Sequence, residues 1–219
     1  IKIITSWNSL AINTFAEVGA VLRSEEFLGA AIKCAEFLQN NMLDKGRLLR
    51  IYRNGKPKLN AYLEDYSFFI NSLLTLHSAT LESKWLTSAI SLADSMINLF
   101  WDPNKMTFFD TGLDHESLIL RPKDPFDNAL PSGSSVAVEV LLKLAVITGD
   151  PNYLDIGETA LTSLTNVMPK ISMGLPNWLC TLDFHLSSPK EIVISGSLDD
   201  PRTIFILNSV HKQFIPNKV

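Results

Sequence analysis

Three stretches hold the residues best suited to chemistry: Ser6-Trp7-Asn8, Glu64-Asp65-Tyr66 and Ser132-Gly133-Ser134-Ser135. Together they supply an indole, a phenol, two carboxylates, an amide and several hydroxyls. That set suits a sugar, whose ring face stacks on aromatics and whose hydroxyls take hydrogen bonds. Trp7, Asn8, Tyr66, Ser132 and Ser134 are therefore candidate binding residues, and Asp65 and Glu64 candidate acid/base residues. Adjacent on a helix, Glu64 and Asp65 point in different directions, whereas a glycosidase pair flanks its bond with carboxyls about 5–10 Å apart. Asp65 with Asp124 or Asp127 is the better pair. Arg121, in a stiff loop with Pro122 and Lys123, is a candidate for recognising an anion, or pairs with Asp124 and Asp127. Plain helix capping also accounts for Ser6, Asp65 and Ser132. His77 is a third catalytic candidate, because an imidazole can move a proton near neutral pH. A buried, hydrogen-bonded histidine is the simpler reading of it. No second histidine converges on His115, so no metal site is expected, and no cofactor is expected either.

These stretches are positioned by a repeat. Nineteen residues after Asn8, Tyr66 and Ser134 comes an aromatic followed by leucine: Phe27-Leu28, Trp85-Leu86 and Tyr153-Leu154. Four residues after each aromatic sits a small residue: Ala31, Ala89 and Gly157. A unit repeated in this way cannot bury its apolar face alone, so the units must stack. Each reads as a helical hairpin, over about 6–42, 64–100 and 132–168. Leu10, Ala11, Phe15, Val18 and Leu22 share one helical face, as do Phe69, Ile70, Leu73 and Leu74. Ser24 and Ser83 are expected to cap second helices. Thr148-Gly149-Asp150-Pro151 ends one helix and starts the next. His77 falls in the slot that holds Gly19 and Ala145 in the other units. The first helix of each pair is apolar nearly all round and the second more polar on one face, which predicts inner and outer helices of an α/α solenoid or toroid. If the inner helices run in parallel, their starts gather at one end with their free N–H groups facing one cavity.

Between the units, Arg47–Arg53 followed by Asn54-Gly55 predicts a strand and tight turn. Phe108–Thr111 with Leu118–Arg121 suggests a second hairpin. Met168–Pro189 reads as a Pro-rich segment, Glu191–Gly196 as a short buried strand and Thr203–Phe214 as a last helix, so 169–219 is a C-terminal extension packing on the same domain. The composition, 46% hydrophobic with a net charge of −4, supports a well-buried core and excludes a wide basic face. The basic residues from Lys45 to Lys58 are a solvated hairpin, and nucleic acid is not an expected partner. Two distant cysteines, Cys34 and Cys180, argue against a disulfide scaffold. No run is long enough for a membrane span, and no signal peptide is visible, so a soluble, cytoplasmic protein is the expectation. The chain begins without Met, as a piece of a longer reading frame does.

Ser6-Trp7-Asn8, Leu63-Glu64-Asp65-Tyr66, Arg121-Pro122-Lys123-Asp124 and Pro131-Ser132-Gly133-Ser134-Ser135 resemble the C-terminal region of the thioredoxin-domain-containing family that includes spermatogenesis-associated protein 20 and the bacterial YyaL proteins. Glu191-Ile192-Val193-Ile194 and Phe214–Val219 resemble that family's C-terminus. The resemblance implies a mainly α fold, an α/α toroid of the six-hairpin glycosidase type, related to N-acylglucosamine 2-epimerases and holding a sugar-type cavity. Three of its hairpins are present here, without the thioredoxin-like domain, and Asn128 and Ser134 stand where Gly and Asn are expected. Two functions follow. One is a carbohydrate-binding or carbohydrate-active domain, epimerase-like or hydrolase-like. The other is a non-catalytic helical scaffold that accompanies a thioredoxin-like domain. A sugar site should gather Asp65, Tyr66 and Trp7 in one concave pocket; a scaffold should use them as caps and core. A partial toroid also exposes apolar flanks, so a homodimer is expected.

Overall fold

The computed structural model describes residues 2–116, 119–197 and 199–219. Three helical hairpins follow one another: α1 (Thr5–Leu22) with α2 (Glu25–Asn41), α3 (Leu63–Thr80) with α4 (Ser83–Phe100), and α5 (Gly133–Thr148) with α6 (Pro151–Ser163). Helices α1, α3 and α5 pack side by side as an inner layer, each covered outside by its partner. The chain is thus mainly α, a layered stack of helical hairpins.

Local chemistry sets the hairpin bends. Ser24 Oγ accepts the Phe27 amide, and Asp150 accepts the Asn152 amide with Pro151 in the first turn of α6. Gly149 closes α5 at φ 71°, a left-handed conformation that costs glycine no steric penalty. Ser83 is the first helical residue rather than a cap; Glu82 holds the cap position. The repeated small residues let the two layers approach. Ala31 and Ala89 are fully buried, and a Cβ on Gly157 would stand 2.7 Å from Leu142 Cδ2. Helices α3 and α5 are buried along most of their length, so their apolar patterning reflects cover on nearly every side.

Strand β3 (Arg47–Arg53) pairs antiparallel with β1 (Lys2–Ile4), β2 (Leu43–Asp44) and β4 (Lys56–Asn60). Asn54 and Gly55 turn β3 into β4 with positive φ at both positions, as a primed hairpin turn requires. Strand β5 (Trp101–Asp102) pairs with β6 (Thr107–Phe108), so Phe108 turns back onto the end of α4. Among the described residues it does not pair with 119–121, and Leu118 lies outside them. No described helix is long and apolar enough to cross a membrane.

Two C-terminal expectations change. The Pro-rich segment contains a helix, α7 (Pro176–Leu186), which packs beside α5 as a fourth inner helix. Its Pro176 occupies the first turn, where the missing N–H costs nothing. Residues 191–196 form no strand: Val193 is 88% exposed, and Ile192 meets the chain end through one bond to Val219. The last helix, α8 (Pro201–Lys212), lies against α1.

Inner helices approach closely at their starts, where a Cβ on Gly133 would stand 2.9 Å from the Glu64 backbone nitrogen. Gly133→Ala should therefore destabilise the protein by about 1–3 kcal/mol through overpacking, although alanine favours a helix by roughly 1 kcal/mol. Urea unfolding checks this, and an unchanged or raised midpoint refutes it.

Candidate site at the starts of the inner helices

Two buried carboxylates bring the starts of the four inner helices together in pairs. Asp65, in the first turn of α3, is fully buried. Its Oδ1 accepts the Ser6 amide of α1 at 3.0 Å, and its Oδ2 accepts the Tyr62 amide at 3.0 Å and Arg50 Nη1 at 2.8 Å. Asp127 repeats the device one step along. Its Oδ1 accepts the Ser132 amide at 2.7 Å and the Ser135 hydroxyl at 2.8 Å, and its Oδ2 accepts the Asn177 amide of α7 at 2.8 Å. Each carboxylate satisfies orphan N–H groups of two helices at once. Burial pushes the Asp65 carboxyl above the ordinary carboxylate range, against the opposing pull of Arg50 and the Tyr62 amide.

Most sequence-predicted site residues are engaged in this framework. Tyr66 is fully buried, accepts the Leu48 amide at 3.0 Å and packs edge-on against Phe100. It is a core post whose ring backs the hollow between Lys45 and Asn98 and does not face Trp7 or Asp65. Asn8 donates to the Ile4 carbonyl at 2.8 Å and accepts from Cys34 Sγ at 3.6 Å. Ser132 caps α5 through the Ser135 amide and donates to the Pro125 carbonyl at 3.1 Å. Ser134 is buried. Arg121 donates to the carbonyls of Leu99 and Thr111 and lies 3.8 Å over the Phe109 ring, so it ties the loop to α4 rather than facing an anion. His77 sits twelve residues beyond Asp65, about 18 Å along α3. Its Nδ1 meets the Glu82 carbonyl at 3.2 Å, at the opposite end from the carboxylates.

Asp65, Tyr66 and Trp7 therefore do not share a pocket. What stays open at the helix starts is Trp7, 65% exposed, and Glu64, whose Oε1 meets Arg50 Nη1 at 2.8 Å. Arg50 in turn lies 4.5 Å over the Tyr62 ring, which stacks on His115. Two carboxylates from the preceding loop stand beside them. The Asp110 backbone accepts the Leu63 amide at the start of α3, and the Asp110 carboxylate accepts the Asp124 amide at 3.1 Å. Burial, and then the charges of Asp124 and Glu64, hold the Asp110 carboxyl above its ordinary range. Sequence reading placed Asp110 in a hairpin and missed it, and it missed Asn177 with α7. The available signals were Pro176 as a helix opener and the helical spacing of Trp178, Thr181 and Phe184. Two surface hollows of about 310 and 270 Å³ lie elsewhere, one beside Met168 and Leu182 and one between Lys45 and Asn98. Among the described residues, no group of three or more His, Cys, Asp or Glu is placed to hold a metal.

The Asp110 geometry predicts a pH effect. A folded-state value above the ordinary 3.8 means that the folded chain binds this proton more tightly than the unfolded chain. Stability contributed by Asp110 is thus present at low pH and lost as pH rises through the folded value. Asp110→Asn should flatten the stability profile between about pH 4 and 7. Urea midpoints across that range test it, and parallel profiles for the two proteins refute it.

No family model matches the chain. It is 36% identical over 232 residues to spermatogenesis-associated protein 20 of mouse and 34% identical over 229 residues to the human protein. All of this chain is covered in both cases, and it spans 29% of the length of those relatives. Among solved structures, cellobiose 2-epimerase from Spirochaeta thermophila DSM 6192 superposes with a TM-score of 0.62 at 17% identity, over 77% of this chain and 44% of that one. The GH76 α-mannanase of Bacteroides thetaiotaomicron gives 0.69 at 11% identity, over 96% and 56%. The chain is thus similar over its whole length to part of spermatogenesis-associated protein 20, and its fold is that of the six-hairpin glycosidase-like structures.

Proposed function

We propose that this chain is a carbohydrate-binding domain whose site lies at the starts of the inner helices. The observation that carries the reading is the contrast at that end. Asp65 and Asp127 hold the helix starts rigidly, while Trp7, Glu64 and Asp124 stay open around them. Trp7 would stack on a sugar ring, and Glu64 and Asp124 would accept hydroxyls. Where turnover occurs in the longer protein, Asp110, held above its ordinary range by burial, suits a general acid, with Glu64 as the second carboxyl beside it. Asp65 supports these groups from beneath and does not touch the sugar. The neighbours being epimerases and glycoside hydrolases supports the carbohydrate class; the particular sugar and a cytoplasmic setting are part of the proposal.

Thermal shift with cellobiose and mannobiose tests it. A saturable rise in melting temperature should appear in the wild type by mass action and be lost in Trp7→Ala, whose circular dichroism should be unchanged. Absence of any shift at millimolar sugar overturns the reading.

One observation favours the scaffold reading: a stripe along α1, with Trp7 at 65%, Phe15 at 40% and Leu22 at 64% exposure, faces away from the core. A contiguous apolar stripe marks an interaction surface, and a second copy of this chain would cover it. Light scattering after size exclusion should then give twice the 24.4 kDa monomer mass, and Phe15→Glu should return the monomer. A wild-type monomer at micromolar concentration removes the dimer.

A further inference from the structure

Strand β3 carries three arginines in unlike surroundings. Arg47 meets Asp114 at 2.6 Å, and Arg50 meets Glu64 and Asp65 at 2.8 Å each. Arg53, at the end of the same strand, faces lysines instead. The antiparallel register sets Lys2 of β1 directly opposite it on one side and Lys56 of β4 directly opposite on the other. Residues directly opposite share a sheet face with Cβ atoms about 5 Å apart, so Lys2, Arg53 and Lys56 form a row about 10 Å across. Lys58, opposite Ile51, stands two residues along β4 on the same face, roughly 7 Å from Lys56. All four cations are exposed. Among the described residues, none of them has a carboxylate within ion-pair distance.

Folding does not account for this row. Like charges directly opposite one another destabilise a sheet, and here two such pairs share Arg53. Lysines and a proline on an edge strand blunt it against aggregation, which accounts for Lys56, Pro57 and Lys58. That role does not require a further cation on the central strand, between two edge lysines. The tight turn at Asn54 and Gly55 joins Arg53 to Lys56, so their backbones cannot separate to relieve the repulsion. A local rule broken with no compensating contact marks a functional position. The chain as a whole carries a net charge of −4. An anionic group is therefore repelled by much of the surface and drawn to this end of the sheet.

We propose that the row of Lys2, Arg53 and Lys56, with Lys58, is a docking surface for an extended acidic segment of a protein partner. In an extended segment alternate side chains fall on one face about 6.8 Å apart, which is the spacing of Lys56 and Lys58. Acidic residues at alternate positions therefore meet successive lysines of β4, and Arg53 and Lys2 widen the target. The segment lies on the sheet face and binds through its side chains. It does not extend the sheet at β4, where Pro57 has no N–H to donate. The patch also lacks the breadth of a nucleic-acid face. This surface is separate from Glu64, Asp110 and Asp124 and is independent of the carbohydrate reading.

The test is fluorescence anisotropy of the full 219-residue chain with a labelled peptide of four Glu-Ser repeats. Binding should be saturable, weaken as salt is added, and be about threefold tighter than for a peptide of four glutamates followed by four serines. Lys56→Glu should weaken the alternating peptide about tenfold. The same substitution should raise the urea midpoint, because it sets an opposite charge beside Arg53. Lys56→Arg should preserve binding. Lys170→Glu, an equal charge change at an exposed site beyond the third hairpin, should leave binding within about twofold. Equal binding of the two peptides, or binding that survives Lys56→Glu, overturns the docking surface. A lowered urea midpoint in Lys56→Glu overturns it too, since the row then serves the fold. Binding confined to tripolyphosphate, or to vesicles of phosphatidylcholine and phosphatidylserine, overturns the protein partner in favour of a phosphate or a membrane. No binding to any of these probes overturns the proposal outright.

Discussion

A carboxylate shared between two helix starts is the interaction on which the rest of this structure depends. Four inner helices run with their N-termini at one end, and each N-terminus carries roughly half a positive charge with unsatisfied N–H groups. Gathering them without a counter-charge would cost both repulsion and desolvation. Asp65 joins α1 to α3 and Asp127 joins α5 to α7, each through amides of two helices. Gly133 lets the α5 start press against Glu64, so the two joined pairs meet. The same contacts that look like sugar ligands in the sequence are what hold the platform together.

That arrangement decides which groups stay available. A carboxylate that already accepts three donors, including Arg50, has no lone pair directed at solvent. Its neighbour Glu64, one residue earlier, turns to the surface and keeps only Arg50. Loop residues 119–127 close over the same end through Arg121 on Phe109, Lys123 on Asp102 and Trp178 on the Pro125 carbonyl. This end also holds Asp110 and Asp124 beside Glu64, with none of the three carboxylates accepting a helix-start amide. Rigidity comes from the fully buried acids, and the half-buried and exposed ones keep open positions around them.

The inner layer also explains how an apolar core coexists with a polar row. Outer helices cover α1, α3 and α5 from behind, through the small residues Ala31, Ala89 and Gly157, and neighbouring inner helices cover their sides. Only the remaining face is uncovered. On α5 that face carries Glu139 and Lys143, and on α3 it carries Asn71 and Thr75. An inner helix of this kind is apolar on three sides and reads as almost wholly apolar, which hides the fourth.

Much of the fold was legible in the residues themselves. The 19-residue offset, the Gly149-Asp150-Pro151 junction and the Asn54-Gly55 turn act over a few residues, so capping, left-handed φ and hydrophobic period report them directly. Glu191–Gly196 had the composition of a buried strand but found no partner, and α7 lay hidden behind prolines, since pairing and packing are supplied by distant segments. The candidate site was legible as a place and not as a set of groups. The amino-acid sequence by itself determined the helical hairpins and the polar starts of their inner helices. Only the tertiary structure decided that Asp65, Tyr66 and Asp127 face inward, that Trp7 is exposed while Glu64 and Asp110 are half-buried, and that His77 lies a helix length away. Burial depends on what a neighbouring element presents, and adjacent residues on one helix meet different neighbours.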